Sequence, residues 1–402
     1  MTSIHLPQNK KAFAILLLIL GSVTAIGPLS IDMYLPAFSA IGFDFNAAES
    51  KVQLSLTAYF IGLALSQLFY GPITDRFGRK IPLFFGLTIF VFSSIACCFA
   101  HSIDQLIVLR FFQALGACAG MVVPRAIVRD IFTPQESARV FSHLMLVMGI
   151  APILAPIVGS MLLIHFGWKS IFVFLAAFGI LCLLVSYFAI PQTKGPNVDD
   201  KISGALKKYL GILQDRNFVI CAVSGGLTMS GLFAYITGSP FVYLQYFELS
   251  AETYSLIFAI NSVGFIVSAQ INAYFLKKFS MRQILSKVIF IPAITGLALM
   301  FIGLNNPTFW PFTITLFIFL CGVGAIVPNA TALALSNQSQ YTGSASALLG
   351  MLQFSLATIA SFTVSMLHDE STTSMIFVIG VFGIMACLVF KLFNPSAKSH
   401  LN

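Results

Sequence analysis

The chain has 402 residues, of which 58% are hydrophobic and 9% charged, and its mean hydropathy is +0.92. A soluble surface needs roughly 25% charged residues, so 22 basic and 14 acidic side chains exclude a soluble enzyme, a disordered chain and a disulfide-rich secreted module. The net charge of +8 is too scattered for a phosphate-binding face, so no nucleic-acid partner is expected.

Apolar runs long enough to cross a ~30 Å hydrocarbon core recur along the chain. They predict spans at 12–36, 51–71, 81–100, 104–128, 138–164, 168–190, 217–245, 251–276, 284–304, 308–332, 343–367 and 371–393. The runs are too long and continuous for barrel strands. The expected fold is an all-α membrane protein with twelve transmembrane helices in two six-helix pseudo-symmetric halves. Residues 1–190 form the N-terminal half, 191–216 a cytoplasmic linker and 217–402 the C-terminal half.

The first run follows Lys10 and Lys11, is too long for a signal-peptide core and lacks a small-residue cleavage site, so it reads as a span. It contains Asp32, and span four contains Arg110; these two are the charges well inside spans. An ionisable group at that depth is costly and marks a functional hypothesis with a partner. Counted from their span ends, both lie roughly 9 Å from the outer boundary at 1.5 Å per residue. They are therefore expected to meet or to face one cavity. Two readings stay open: a static ion pair, or a carboxylate that binds and releases a proton while the arginine tunes it.

Arg110 shares a helical face with Gln113, while Gly116 and Gly120 have the small-residue spacing of close helix packing. Span five carries Gly149, Pro152, Pro156 and Ser160 on one face, which should be bent and bare of large side chains. Among the remaining polar and soft residues, Asn261, Asn329, Gln353, Tyr34, Tyr59, Met145, Met148 and Tyr235 are candidates to line a substrate cavity, with Gln113. The seven cysteines all fall in spans and suggest packing rather than disulfides or a metal site; no metal is expected.

The longest polar stretch, from Pro191 to Arg216, separates six spans from six. Across it the halves echo each other at an offset of about 204 residues. Gly120-Met-Val-Val-Pro124 matches Gly324-Ala-Ile-Val-Pro328, Pro36 matches Pro240, and the loop at 71–80 has a degenerate copy at 273–282. Such repeats are a transporter architecture with the site between the halves. With both termini in the cytoplasm, nineteen of the 22 Lys and Arg lie on the cytoplasmic side, as positive-inside orientation requires.

These residues carry a resemblance. Gly71-Pro-Ile-Thr-Asp-Arg-Phe-Gly-Arg-Lys80 resembles the loop signature of the major facilitator superfamily. Arg110-Phe-Phe-Gln-Ala-Leu-Gly116 and Gly149-Ile-Ala-Pro-Ile-Leu-Ala-Pro-Ile-Val-Gly159 resemble the span-four and span-five motifs of its proton antiporters. Ser30-Ile-Asp-Met-Tyr-Leu-Pro36 and Pro124-Arg-Ala-Ile-Val-Arg-Asp130 are similar to the bicyclomycin- and chloramphenicol-resistance (Bcr/CflA) subfamily.

The resemblance implies a monomeric, multi-pass drug:proton antiporter of the bacterial inner membrane, driven by the proton gradient without a cofactor. Asp32 would be its protonation site and Arg110 the coupling partner. Gly71, Asp75, Arg76, Gly78, Arg79 and Asp130 would form a cytoplasmic gate with the start of span eleven at Gly343-Ser-Ala-Ser346. Gly149, Pro152, Pro156 and Gly159 would be the antiporter motif of span five. Thr24 and Ala25 stand where some such antiporters carry a further acid, so strongly cationic drugs are not the expected substrates. Small amphipathic compounds are expected, with a dedicated exporter of an amino acid or siderophore as the alternative. No HExxH and no P-loop occurs, which disfavours an enzyme or an ATP-driven pump.

Overall fold

Pro36 cannot donate to the carbonyl of Asp32, four residues earlier, and the first helix ends there. In the computed structural model, which describes residues 10–132, 134–190, 203–305, 307–338, 342–367 and 371–393, α1 runs Lys10–Asp32 and is followed by a 3-10 turn, Leu35–Ala37, and the short α2, Phe38–Asp44. The expected span to residue 36 is thus broken at the residue that carries the intramembrane acid.

The rest of the first half is α3 (Glu49–Phe77), α4 (Lys80–Cys98), α5 (Ile103–Ile131), α6 (Pro134–Phe166) and α7 (Lys169–Ala189). Gly78, at φ +79°, ends α3 in the left-handed region where glycine is at ease. Ser102 starts α5 by accepting from the Gln105 N–H at 3.2 Å.

The second half comprises α9 (Arg216–Pro240), α10 (Ala251–Phe275), α11 (Met281–Val288), α12 (Phe290–Leu304), α13 (Phe309–Leu335), α14 (Thr342–Met366) and α15 (Thr373–Phe393). Pro240 is the last residue of α9 and a π-helical stretch, Phe241–Tyr246, follows, the counterpart of the break ahead of Pro36. Span nine is two helices instead of one, because Pro292 leaves the Val288 carbonyl without its helical donor. A capping box between Ser280 and Gln283 opens its first piece.

Twelve helical spans among the described residues, the ninth made of α11 and α12 together, are long and apolar enough to cross a membrane, and the chain is a multi-pass membrane protein. The same pairings recur in each set of six: α1 with α6, α3 with α5 and α4 with α7 correspond to α9 with α14, α10 with α13 and α12 with α15. The two sets meet where α3 packs on α14 and α6 on α10. Outward-facing side chains such as Phe85, Phe92, Phe188, Phe301 and Leu392 are exposed and apolar, as lipid contact requires. All seven cysteines are free.

Helices of the first half approach closely at glycines. A Cβ on Gly116 of α5 would strike the backbone of Phe90 and Gly86 in α4, and one on Gly120 would come within 2.5 Å of the Val23 carbonyl in α1. This is the packing role expected from their spacing. Gly116→Val should therefore force α4 and α5 apart, at a cost of about 1–3 kcal/mol or more, read as a clearly lowered melting temperature in detergent.

Between the halves lies α8, Ser203–Leu213, inside the stretch expected to be a linker. Pro72 within α3 leaves the Leu68 carbonyl without an i+4 N–H, and the Tyr209 hydroxyl of α8 donates to it at 3.2 Å. Tyr209 and Ile212 also pack with Phe218 and Leu348 of the second half. The linker helix is thereby tied to both halves on the side of the chain termini, here the terminal side; the side bearing the 44–49 and 246–251 connections is the distal side.

Candidate functional site

Arg110 projects from α5 into the interior of the first half and is wholly buried. Its Nη1 donates to Gln113 Oε1, whose amide nitrogen donates to Ser94 Oγ at 2.7 Å. Its Nη2 donates to the Ser30 carbonyl at 2.9 Å. The guanidinium stands 4.6 Å from the Tyr34 ring centroid and 4.4 Å from that of Tyr59, with Phe172 at 5.8 Å. Among the described residues its Nε has no partner. The arginine therefore caps the carbonyl end of α1, where the helix dipole favours a cation, inside an aromatic cage that attracts one. Tyr34 is fixed in turn by Ser55 at 2.7 Å.

Asp32 is the last residue of α1 and only 4% exposed, yet it does not pair with Arg110: among the described residues no ion pair joins them. The expectation that they meet or face one cavity is corrected by azimuth. Arg110 holds the carbonyl of Ser30, and residues two apart on a helix face different ways. Asp32 instead lines a cavity of about 110 Å³ between the halves, walled by Met148 and Pro152 of α6, Tyr235 of α9, and Phe258, Asn261 and Ile266 of α10. Tyr235 stacks on Phe258 with centroids 5.4 Å apart, and its hydroxyl accepts from Asn261 Nδ2 at 3.0 Å. The lining is mainly apolar and aromatic, with one acid in it.

Of the residues expected in the substrate cavity, Met148, Tyr235 and Asn261 line this one. Tyr34, Tyr59 and Gln113 surround Arg110 instead and are buried within the first half. Asn329 is buried against Asn272, to which it donates at 2.6 Å, so it joins α13 to α10 rather than facing the cavity. Gln353 lies on α14 beside Gly226 of α9 and is not in the lining. The side chain of Met145 is outside the described residues. Phe258, Ser262 and Ile266 were missed, although they continue the helical stripe of Asn261 on span eight.

Span five meets the second half through its prolines. Pro156 cannot donate to the Pro152 carbonyl, and Ser262 Oγ of α10 lies 3.5 Å from that oxygen; Ser255 Oγ lies 3.0 Å from the Pro156 carbonyl. Gly149 faces Ile266, and Gly159 sits against the Met33 carbonyl with no room for a Cβ. The bare, bent face expected of this helix is where α10 and the end of α1 seat.

At the terminal side, Arg79 grips Asp130 through Nε at 2.8 Å and Nη2 at 3.2 Å, a fork joining the start of α4 to the end of α5. Their side chains are 8% and 18% exposed, so the pair is better shielded than an ordinary surface ion pair. Arg76 lies over Phe77, and Gly71 faces Ala347 of α14 across the seam. The side chain of Asp75 lies outside the described residues. Asp130→Asn removes the charge that Arg79 answers and should lower transport by a factor of several, about 1 kcal/mol or more, in an uptake or efflux assay at matched expression.

A twelve-helix membrane bundle in two like halves, with a cavity at their junction, is the architecture of a secondary transporter. The profile of the Major Facilitator Superfamily matches residues 20–362, and the chain belongs to that superfamily as a transporter, not an enzyme. It is 35% identical over 391 residues to the MFS-type transporter YdgK of Bacillus subtilis, covering 95% of this chain and 96% of that protein. It is 28% identical to a bicyclomycin resistance protein homolog of Haemophilus influenzae, covering 96% of each. It is likewise 28% identical to the multidrug resistance protein MdtL of Salmonella paratyphi C, over 93% of this chain and 94% of that one. Among solved structures, a D-xylose-proton symporter shares the fold at TM-score 0.78 and 14% identity, covering 96% of this chain and 99% of that one.

Proposed function

We propose that this transporter exports small amphipathic drugs or toxic compounds in exchange for protons, by alternating access, as a monomer in the bacterial inner membrane with both termini in the cytoplasm. The observation that carries the reading is the unpaired carboxylate of Asp32 on an apolar, aromatic cavity where the halves meet. The names of the Haemophilus and Salmonella relatives support a drug-resistance role. The basic residues of the terminal side support the orientation.

Substrate enters from the cytoplasm or inner leaflet, seats on Tyr235, Phe258 and Met148, and displaces the proton from Asp32. The halves rock, substrate leaves on the distal side, and Asp32 takes up a proton from there. Arg110 holds the end of α1 so that Asp32 keeps its aim into the cavity. The Arg79–Asp130 fork steadies the cytoplasmic gate. The proton gradient is the energy source and no cofactor takes part. A growth-inhibition panel in an efflux-deficient host tests the substrate class: the wild-type chain should protect against several amphipathic antibiotics and Asp32→Asn against none. Protection against no drug, with efflux of an amino acid or siderophore, would favour the metabolite exporter.

A further inference from the structure

Glu49, the first residue of α3, lies on the distal side at the junction of the halves. Its Oε2 accepts a hydrogen bond from Nε2 of Gln245, in the π-helical stretch of the second half, at 2.9 Å. The same amide nitrogen reaches Ser39 Oγ of the first half at 3.4 Å. The other carboxylate oxygen, Oε1, is shut away from solvent without a partner. Among the described residues no cation pairs with it: Lys51, two residues on, is taken by Asp104 at 2.9 Å. Just inside this contact the seam is bridged by the hydroxyls of Thr57 and Ser361 at 2.6 Å, and Ser361 Oγ also accepts from Thr237 of its own half at 2.9 Å.

Glu49 is half-buried, and a carboxylate anion with one oxygen shut from solvent, one neutral donor and no cation is costlier there than the neutral acid. Opening the seam reverses this, because it separates Glu49 from Gln245 and lets water reach both oxygens. We infer that Glu49 is a second proton-binding site of this transporter, placed on the distal gate, protonated while the seam is shut and ionised when it opens. It binds and releases its proton on the same side, so it gates without adding to the protons carried. On the export reading, on which this rests, external acid then closes the emptied carrier and sends it back to the cytoplasmic side.

Tyr34 bonds Ser55, Asp44 of α2 accepts from Trp168 Nε1 at 3.0 Å, and Tyr243 bonds Thr313. Tyr246, Glu248 and Glu252 stand on the second half's side, and His101 and Asp104 at the start of α5. None forms an ion pair with Glu49. His368, Asp369 and Glu370, after α14, lie outside the described residues.

The test is the distance between spin labels at Phe43→Cys and Trp310→Cys, exposed distal positions of the two halves, in nanodiscs and in a background whose native cysteines are replaced. In the otherwise wild-type chain the long-distance population should grow from minor to major between pH 5 and pH 9. Glu49→Gln, which keeps shape and hydrogen bond, should stay short at both. Gln245→Ala should raise the long population at every pH and keep its pH dependence. Asp32→Asn should still widen with pH; since no transport is measured, failure of Asp32 as the coupling site leaves this result standing. Widening of Glu49→Gln with the wild-type pH profile, or a wild-type distance that ignores pH, overturns the inference.

Discussion

Asp32→Asn is expected to abolish substrate-driven proton release from proteoliposomes, down to the level of protein-free vesicles. Asparagine keeps the size and polarity of the side chain that ends α1 and faces the cavity, so helix packing and the cavity's shape should survive. Only titration is lost. Binding of a neutral substrate should change by less than about tenfold, or 1.4 kcal/mol, since its contacts are with Tyr235, Phe258 and the apolar wall. A proton release that persisted at full amplitude would move the coupling site elsewhere. Asp32→Glu is the informative companion. It restores the acid but pushes it one methylene further into a cavity of only about 110 Å³, so proton release should return in part while bulky substrates are rejected.

The spans were legible because lipid imposes long apolar runs, and even the helix breaks can be explained from proline spacing. Pro36 stands four residues after Asp32 and Pro292 four after Val288, and the helices end at those residues. Direction around a helix was the harder quantity. Depth alone placed Asp32 and Arg110 at one level, but the guanidinium reaches the Ser30 carbonyl and the carboxylate looks away from it. The same ambiguity put Tyr34 and Tyr59 with Tyr235 in one expected cavity, although the first two cage an arginine inside one half and the third lines the junction. A single intramembrane span of alternating polar and apolar residues does not say which neighbour each face will meet. Glu49 left no signal at all. It reads as an ordinary acid in a helix's first turn, and only the approach of Gln245 from about two hundred residues away encloses it.

Arg110 offers the sharpest separation of structure from function. Its guanidinium answers the Ser30 carbonyl, the Gln113 amide and two tyrosine faces at once. Arg110→Ala strands those buried polar groups, each unsatisfied one costing about 1–3 kcal/mol, and forfeits cation–π attraction of about 0.5–2 kcal/mol per ring. The protein should lose much of its thermal stability in detergent and most of its folded yield. Arg110→Lys keeps the charge, so the cage remains attractive and the chain should fold with a modest fall in melting temperature. A single ammonium on a flexible stem cannot reproduce the guanidinium's fixed fork, which bonds Ser30 and Gln113 together. The end of α1 is then free to turn, and Asp32 with it. Transport by Arg110→Lys should accordingly fall at least about tenfold, equivalent to 1.4 kcal/mol in the coupling step, while substrate binding stays near that of the unmodified chain. Retention of full proton-coupled transport by the lysine variant would show that charge alone suffices, and that the arginine's grip on α1 is not what aims the acid.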